Sequence, residues 1–164
     1  VVTLRHLPDE LAPAATVLVL DAIWARLTGK HRRLVYVDEA WLLLQHGPGA
    51  VWLARMAKTA RKRRAGLTVI TQDAADLLSG DLGRVVIANS ATQILMRQAP
   101  QTATAVAEAF NLTGAETDLL RTARQGDALL LAGEAHAAFA SCASETEMPL
   151  LVTGEAAAAN GDRG

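Results

Sequence analysis

The stretch Leu34-Val35-Tyr36-Val37-Asp38-Glu39-Ala40-Trp41 constrains this chain most, because it joins a buried-strand signal directly to two adjacent carboxylates. Leu34 to Val37 has the continuous apolar, β-favouring composition of a central parallel strand covered on both faces. Asp38 and Glu39 would then stand at its carboxyl end, the edge at which open α/β sheets place their ligands. A plainer reading also fits. Acids that open a helix complement its dipole, and that alone could account for the pair.

The functional reading of the same residues is a Walker B strand. In that pattern the first acid orients Mg²⁺, usually through its water shell, and the second holds the attacking water as general base. The motif is short, so what surrounds it must decide. The chain of 164 residues is one domain's worth, and an apolar fraction of 51% is ample for a core. Sixteen basic against seventeen acidic residues give a net charge of -1, so no global field marks a nucleic-acid or membrane-surface binder, and any such contact must be local. The single cysteine, Cys142, excludes an internal disulfide and a cysteine metal cluster; it reads as a small buried core residue in a reducing compartment. No signal peptide opens the chain, and its start at Val1 reads as the middle of a strand within a longer protein. The apolar run Leu11 to Ile23 is broken by Pro13, Thr16 and Asp21 and falls short of the roughly 20 apolar residues a bilayer needs. No transmembrane segment is expected.

In chain order, Val1 to Leu4 reads as a strand end. Pro8-Asp9-Glu10 and Pro13 open a helix running to about Leu27, with Leu20, Ile23, Trp24 and Leu27 on one face and Gly29 as its stop. On that face Trp24 reads as core and not as a base-stacking platform. Lys30 to Arg33 is a basic turn. Gly47-Pro48-Gly49 breaks the chain before an amphipathic helix from Ala50 to Arg64, which carries six basic residues from Arg55 onward and is stopped by Gly66. Dipole complementarity explains some of them, and six exceed what capping needs. Leu67 to Thr71 is the next strand, ending in Gln72 and Asp73, with Asp73 placed to cap a helix over 74–78. Leu82 to Ala88 forms a short helix, Ala91 to Met96 a strand leading to Arg97-Gln98, and Pro100 opens a helix through Phe110. Thr113-Gly114-Ala115-Glu116 has capping-box spacing into a helix reaching Arg124. A terminal hairpin, 128–131 and 135–140, bends at Gly133-Glu134. Alanine, glycine and charge from Gly154 onward predict a disordered tail.

Taken together, the Leu34 to Trp41 stretch, Ala60-Arg61-Lys62, Thr71-Gln72 and the segment from Asn89-Ser90 to Arg97-Gln98 resemble the large, VirB-class and TraC-like P-loop ATPase of type IV secretion and conjugation systems. Each motif is weak alone; their order and spacing are the specific feature. The similarity extends over nearly the whole chain apart from the tail, so that residues 1–151 would be the C-terminal part of an ATPase domain and 152–164 a tail. The resemblance implies a RecA-like P-loop NTPase fold: α/β, with a mostly parallel sheet flanked by helices and a C-terminal β-hairpin. It further implies ATP and Mg²⁺ as ligands, Asp38 orienting the metal, Glu39 as base, and Gln72 beside the γ-phosphate. Arg61 and Lys62 fall where the family carries a basic pair that could reach phosphate in the same or a neighbouring subunit. Arg97 and Gln98 are candidates for coupling between subunits. The implied assembly is a ring, a hexamer in the full-length protein, engaging secretion-channel components at the cytoplasmic face of the cell membrane, with DNA as a further possible partner.

One departure qualifies the resemblance. No Gly-x-x-x-x-Gly-Lys-Ser/Thr occurs anywhere in the sequence, although that motif supplies the backbone cradle and lysine for the β- and γ-phosphates. Gly29-Lys30 follows a helix and is no substitute. The fold is therefore expected to be incomplete, with the P-loop upstream of Val1 and the chain inactive alone. Two other functions fit the same residues: a DNA-pumping motor of the HerA and FtsK type, and a non-catalytic RecA-like module that docks a partner through its basic helix.

Overall fold

The structure, a computed structural model, describes residues 11–45, 47–72 and 74–151. The strand read at Val1 to Leu4, the helix-start chemistry of Pro8 to Glu10, the Asp73 cap and the tail lie outside those residues. Helix α1 spans Ala12–Arg26, with proline in its first turn, and gives way to Gly29 at φ 78°. Strand β1, Arg33–Val37, runs parallel to β2, Ala65–Val69, in the register Leu34↔Gly66 to Val37↔Val69. Between them lie α2, Trp41–Leu44, and α3, Gly47–Thr59. Helices α4, Ala74–Leu78, and α5, Asp81–Ala88, lead to β3, Thr92–Leu95. After α6, Pro100–Ala109, and α7, Gly114–Thr122, the hairpin of β4, Asp127–Ala132, and β5, Ala135–Ala140, adds to β3 as an antiparallel three-stranded sheet in the order β3-β4-β5. A last turn, α8, spans Met148–Leu151. Helices flank the parallel pair, which is the α/β class expected.

The capping box reads out as its spacing predicts. The Thr113 hydroxyl accepts from the Glu116 backbone N–H at 3.3 Å, and the Glu116 carboxylate takes the Thr113 N–H at 2.7 Å. Those Thr113 bonds hold the Glu116 carboxyl below its ordinary value, helped by His136 of β5, whose Nδ1 lies 2.6 Å away.

Three expectations are corrected. The helix over Ala50 to Arg64 starts earlier, at Gly47, and ends as α-helix at Thr59; Ala60–Arg63 tighten into a 3-10 turn, and Arg64, at φ 54°, terminates it. Arg64 takes the left-handed position that usually falls to glycine. Gly66 therefore sits inside β2, where a Cβ would come within 2.9 Å of the Leu34 side chain. Next, β1 is not covered on both faces by the described residues. Val35 and Val37 pack with Leu67 and Val69 beneath α1, α3 and α5, whereas Leu34 and Tyr36 are 71% and 65% exposed. Side chains alternate along a strand, and the described helices cover only one face of this pair. Finally, Cys142 is exposed, since it follows β5 in a segment outside the core.

Two cores result, one under each sheet. Leu27, Leu53, Met56 and Val86 fill the first; Leu95, Val106, Leu120, Leu129 and Leu131 fill the second. Helix α4 joins them, with Leu77 against the first and Ala74 and Leu78 against the second. Its carboxyl end meets α5 at Gly83, where a Cβ would fall 2.1 Å from the Leu77 carbonyl oxygen. A backbone carbonyl cannot rotate away. Gly83→Ala should therefore destabilise the fold by about 1–3 kcal/mol. A lower denaturant midpoint with unchanged slope would show it, and an unmoved midpoint would mean the helix pair separates freely.

Trp24 belongs to the first core, as its helical face predicts. The guanidinium groups of Arg55 and Arg63 both lie over its ring, 4.2 and 4.1 Å from the centroid. Arg63 also donates to the Leu27 carbonyl at 2.9 Å, closing the end of α1. Arg63 is thus a packing and capping residue rather than a solvated one.

Candidate functional site

The parallel ladder continues beyond the strands proper. The Ile70 N–H donates to Val37 O at 2.8 Å, and the Ala40 N–H donates to Ile70 O at 3.0 Å. These two bonds pin the turn after β1 against the turn after β2, so Asp38-Glu39 and Thr71-Gln72 emerge side by side at one edge. Ala40, fully buried, anchors the turn from below.

Glu39 itself adopts φ 50°. A left-handed conformation is unfavourable for a side-chain-bearing residue by about 1–2 kcal/mol, and such strain concentrates at functional sites. Its own N–H is satisfied locally by Asp38 Oδ1 at 2.9 Å. The carboxylate is held from two sides. Gln72 Nε2 donates to Oε1 at 2.5 Å and Trp41 Nε1 donates to Oε2 at 2.7 Å. Asp38 is exposed beside it.

This donor set suits a hard cation that keeps much of its water, of which Mg²⁺ is one. Mg²⁺ keeps much of its water and is bound through one or two carboxylates together with phosphate oxygens, whereas a caged metal needs several protein ligands. Among the described residues no group of three or more His, Cys, Asp or Glu could hold an ion. An exposed aspartate next to a restrained glutamate fits the first case.

Other residues singled out from the sequence lie elsewhere. Arg61 and Lys62 are exposed in the 3-10 turn that precedes β2, at the amino edge of the pair, where Arg33 N–H donates to Arg64 O at 3.2 Å. Five strand residues at about 3.3 Å each separate that edge from the acids by roughly 16 Å. The register brings Lys30 to Arg33 to the same edge, making one basic margin of two segments. Gln98 turns to Met96 O and, through its backbone, to Leu120 O, and Arg97 is exposed beside it. Neither joins the Glu39 cluster. A shallow hollow of about 470 Å³ between α7 and the hairpin, bordered by Arg124, Asp127 and Phe139, is also separate from it.

Trp41 closes the Leu34 to Trp41 stretch in the sequence with no role of its own assigned to it, and its bond to Glu39 appears only in the structure. The available signal was that a half-buried indole N–H demands an acceptor, and the nearest carboxylate in sequence is two residues back.

Comparison with known proteins follows the same lines. No curated protein matches the chain. Among solved structures, it is similar to VirB4 of Thermoanaerobacter pseudethanolicus, with a TM-score of 0.76 and 30% identity over 88% of this chain and 41% of that one. The chain thus spans less than half the length of that relative. The TraG P-loop domain family matches residues 5–128, which include both acids, Gln72, the basic turn and β3. With three quarters of its length matched, and with the order of motifs that first suggested the secretion ATPases, the chain belongs to the TraG P-loop domain family.

Proposed function

We propose that this chain is the part of a Mg·ATP-hydrolysing motor domain that supplies the metal-orienting acid, the general base and the γ-phosphate sensor, and that its parent energises type IV secretion or conjugative transfer. The observation that carries the reading is the Glu39 carboxylate, strained in backbone and held by Gln72 from the neighbouring strand end. Bound Mg²⁺ would neutralise charge on the β- and γ-phosphate oxygens. Asp38 would hold its water shell. Glu39 would take a proton from the attacking water as its oxygen bonds to the γ-phosphorus and ADP departs. Gln72 would exchange Glu39 for a phosphate oxygen, so that nucleotide state and base geometry change together. Arg61 and Lys62 lie at the opposite strand edge, which favours action on a neighbouring subunit's nucleotide in a ring over action in their own. Arg97 and Gln98 would serve coupling between subunits. Residues 1–151 form the C-terminal part of that domain in this reading, with 152–164 a tail. The motor would work at the cytoplasmic face of the membrane, held there by channel components. Among the described residues no helix is long and apolar enough to cross a bilayer.

A second reading, a DNA-pumping motor, draws on one observation: the basic margin formed by Lys30 to Arg33 with Arg61, Lys62 and Arg64. Such a margin suits a phosphate backbone.

The 164 residues alone contain no P-loop motif. They should neither bind ATP tightly nor hydrolyse it, while the parent does both. Calorimetry on the two proteins tests this, and micromolar ATP affinity in the 164 residues would place the nucleotide site elsewhere than the edge described.

A further inference from the structure

The proposed base has two oxygens, and the structure treats them differently. Oε1 is paired with Gln72, which arrives from the separate strand end after β2 and is exposed. Oε2 is paired with Trp41, the first residue of α2, only two positions away. Helix α2 is itself firmly seated. Ala40, just before it, is fully buried and bonded to Ile70 O, Leu44 packs into the first core, and α3 and α4 lie against it. The indole N–H is a donor only, so it cannot be satisfied by anything but an acceptor such as Oε2. A glutamate side chain otherwise carries several rotatable bonds, and leaving them free forfeits the orientation on which proton transfer depends.

We propose that Trp41 is a positioning residue for Glu39: its indole N–H fixes Oε2, so that Oε1 is the oxygen presented to water whenever the Gln72 amide turns away. The inference rests on Glu39 being the base. It adds a residue whose part is neither metal binding nor proton transfer. It also divides the clamp into a fixed half, Trp41, and an exchangeable half, Gln72. The competing account is that Trp41 merely fills space beside α2.

The two accounts predict opposite orders for two substitutions in the full-length ATPase. Trp41→Phe keeps an aromatic ring and loses the N–H. Trp41→His is smaller, but imidazole and the five-membered ring of indole attach through the same γ carbon, so Nε2 of histidine falls where Nε1 of tryptophan stood. Positioning predicts that Trp41→Phe lowers kcat about 10- to 100-fold, the scale of one hydrogen bond to a charged group, with KM for ATP near wild type. Trp41→His should then recover part of the loss. Added to Glu39→Gln, Trp41→Phe should cost nothing more. Full kcat in Trp41→Phe, or Trp41→His slower than Trp41→Phe, would overturn the proposal. Glu39→Gln measured alongside separates the two levels of inference. If that variant turns over normally, the base assignment fails and takes this one with it. If it is inactive while Trp41→Phe is not, only the role of Trp41 falls. Unchanged binding of a fluorescent ADP analogue in each variant establishes that the site is folded.

Discussion

In the assembled parent protein, Arg61→Ala should lower ATP turnover about 10³–10⁵-fold, the scale of an arginine finger, while DNA affinity and its salt dependence stay as they were. The geometric basis is the separation of the two strand edges. Arg61 and Lys62 lie in the turn before β2 whereas the acids follow β1, roughly 16 Å away along the strands, so in the proposed ring their contribution would be to a neighbouring subunit's nucleotide. Arg64→Ala is the matched control, since Arg64 is exposed on the same margin but occupies the left-handed stop of the turn. A nucleic-acid track would behave otherwise: neutralising two of these cations would flatten the log–log salt slope by about two charge equivalents, at near −0.9 for each phosphate contact. Equal catalytic losses at Arg61 and Arg64 would remove the assignment.

Glu39→Gln in the same protein should lose about 10²–10⁴-fold in turnover and keep nucleotide binding, because the amide preserves shape and cannot accept the proton. The structure adds a detail. A glutamine at this position can keep its one oxygen on the Trp41 indole, and its NH₂ then faces Gln72, whose amide must flip to present its own oxygen. The clamp can therefore persist while the proton acceptor is lost. Near-normal hydrolysis by this variant would remove Glu39 from the role of base.

Much of the architecture could be read from local pattern. β1 and β2 were visible as apolar runs ending in polar pairs, the terminal hairpin as two runs around Gly133-Glu134, and α7 from the Thr113–Glu116 spacing, because each depends on residues close in sequence. The resemblance to secretion ATPases came from the same runs taken in order. What the chain hid were consequences of distant packing. Nothing near Arg64 announces that it, rather than Gly66, terminates the turn; Gly66 lies two residues further on, paired with Leu34 inside β2. Arg63 looked like one more exposed cation until α1 brought Trp24 beneath it. The exposure of Leu34 and Tyr36 could not be read from their composition, which suits a buried strand equally well.

The candidate site divides in the same way. Asp38, Glu39 and Gln72 were singled out one by one, and the parallel register brings them to one edge. Arg61 and Lys62 were singled out with them, yet the same register sends them to the other. Trp41 was passed over because its apolar character masked its one donor.

The central claim, that the carboxyl edge of β1 and β2 is where ATP is hydrolysed, is tested most directly by the structure of the full-length Glu39→Gln protein with Mg·ATP. The γ-phosphate should lie within hydrogen-bond distance of the Gln72 amide, with Asp38 facing the water shell of the metal and Trp41 Nε1 still on the side chain at position 39. Nucleotide bound at the amino edge of the same subunit, among Lys30 to Arg33 and Arg61, would contradict it.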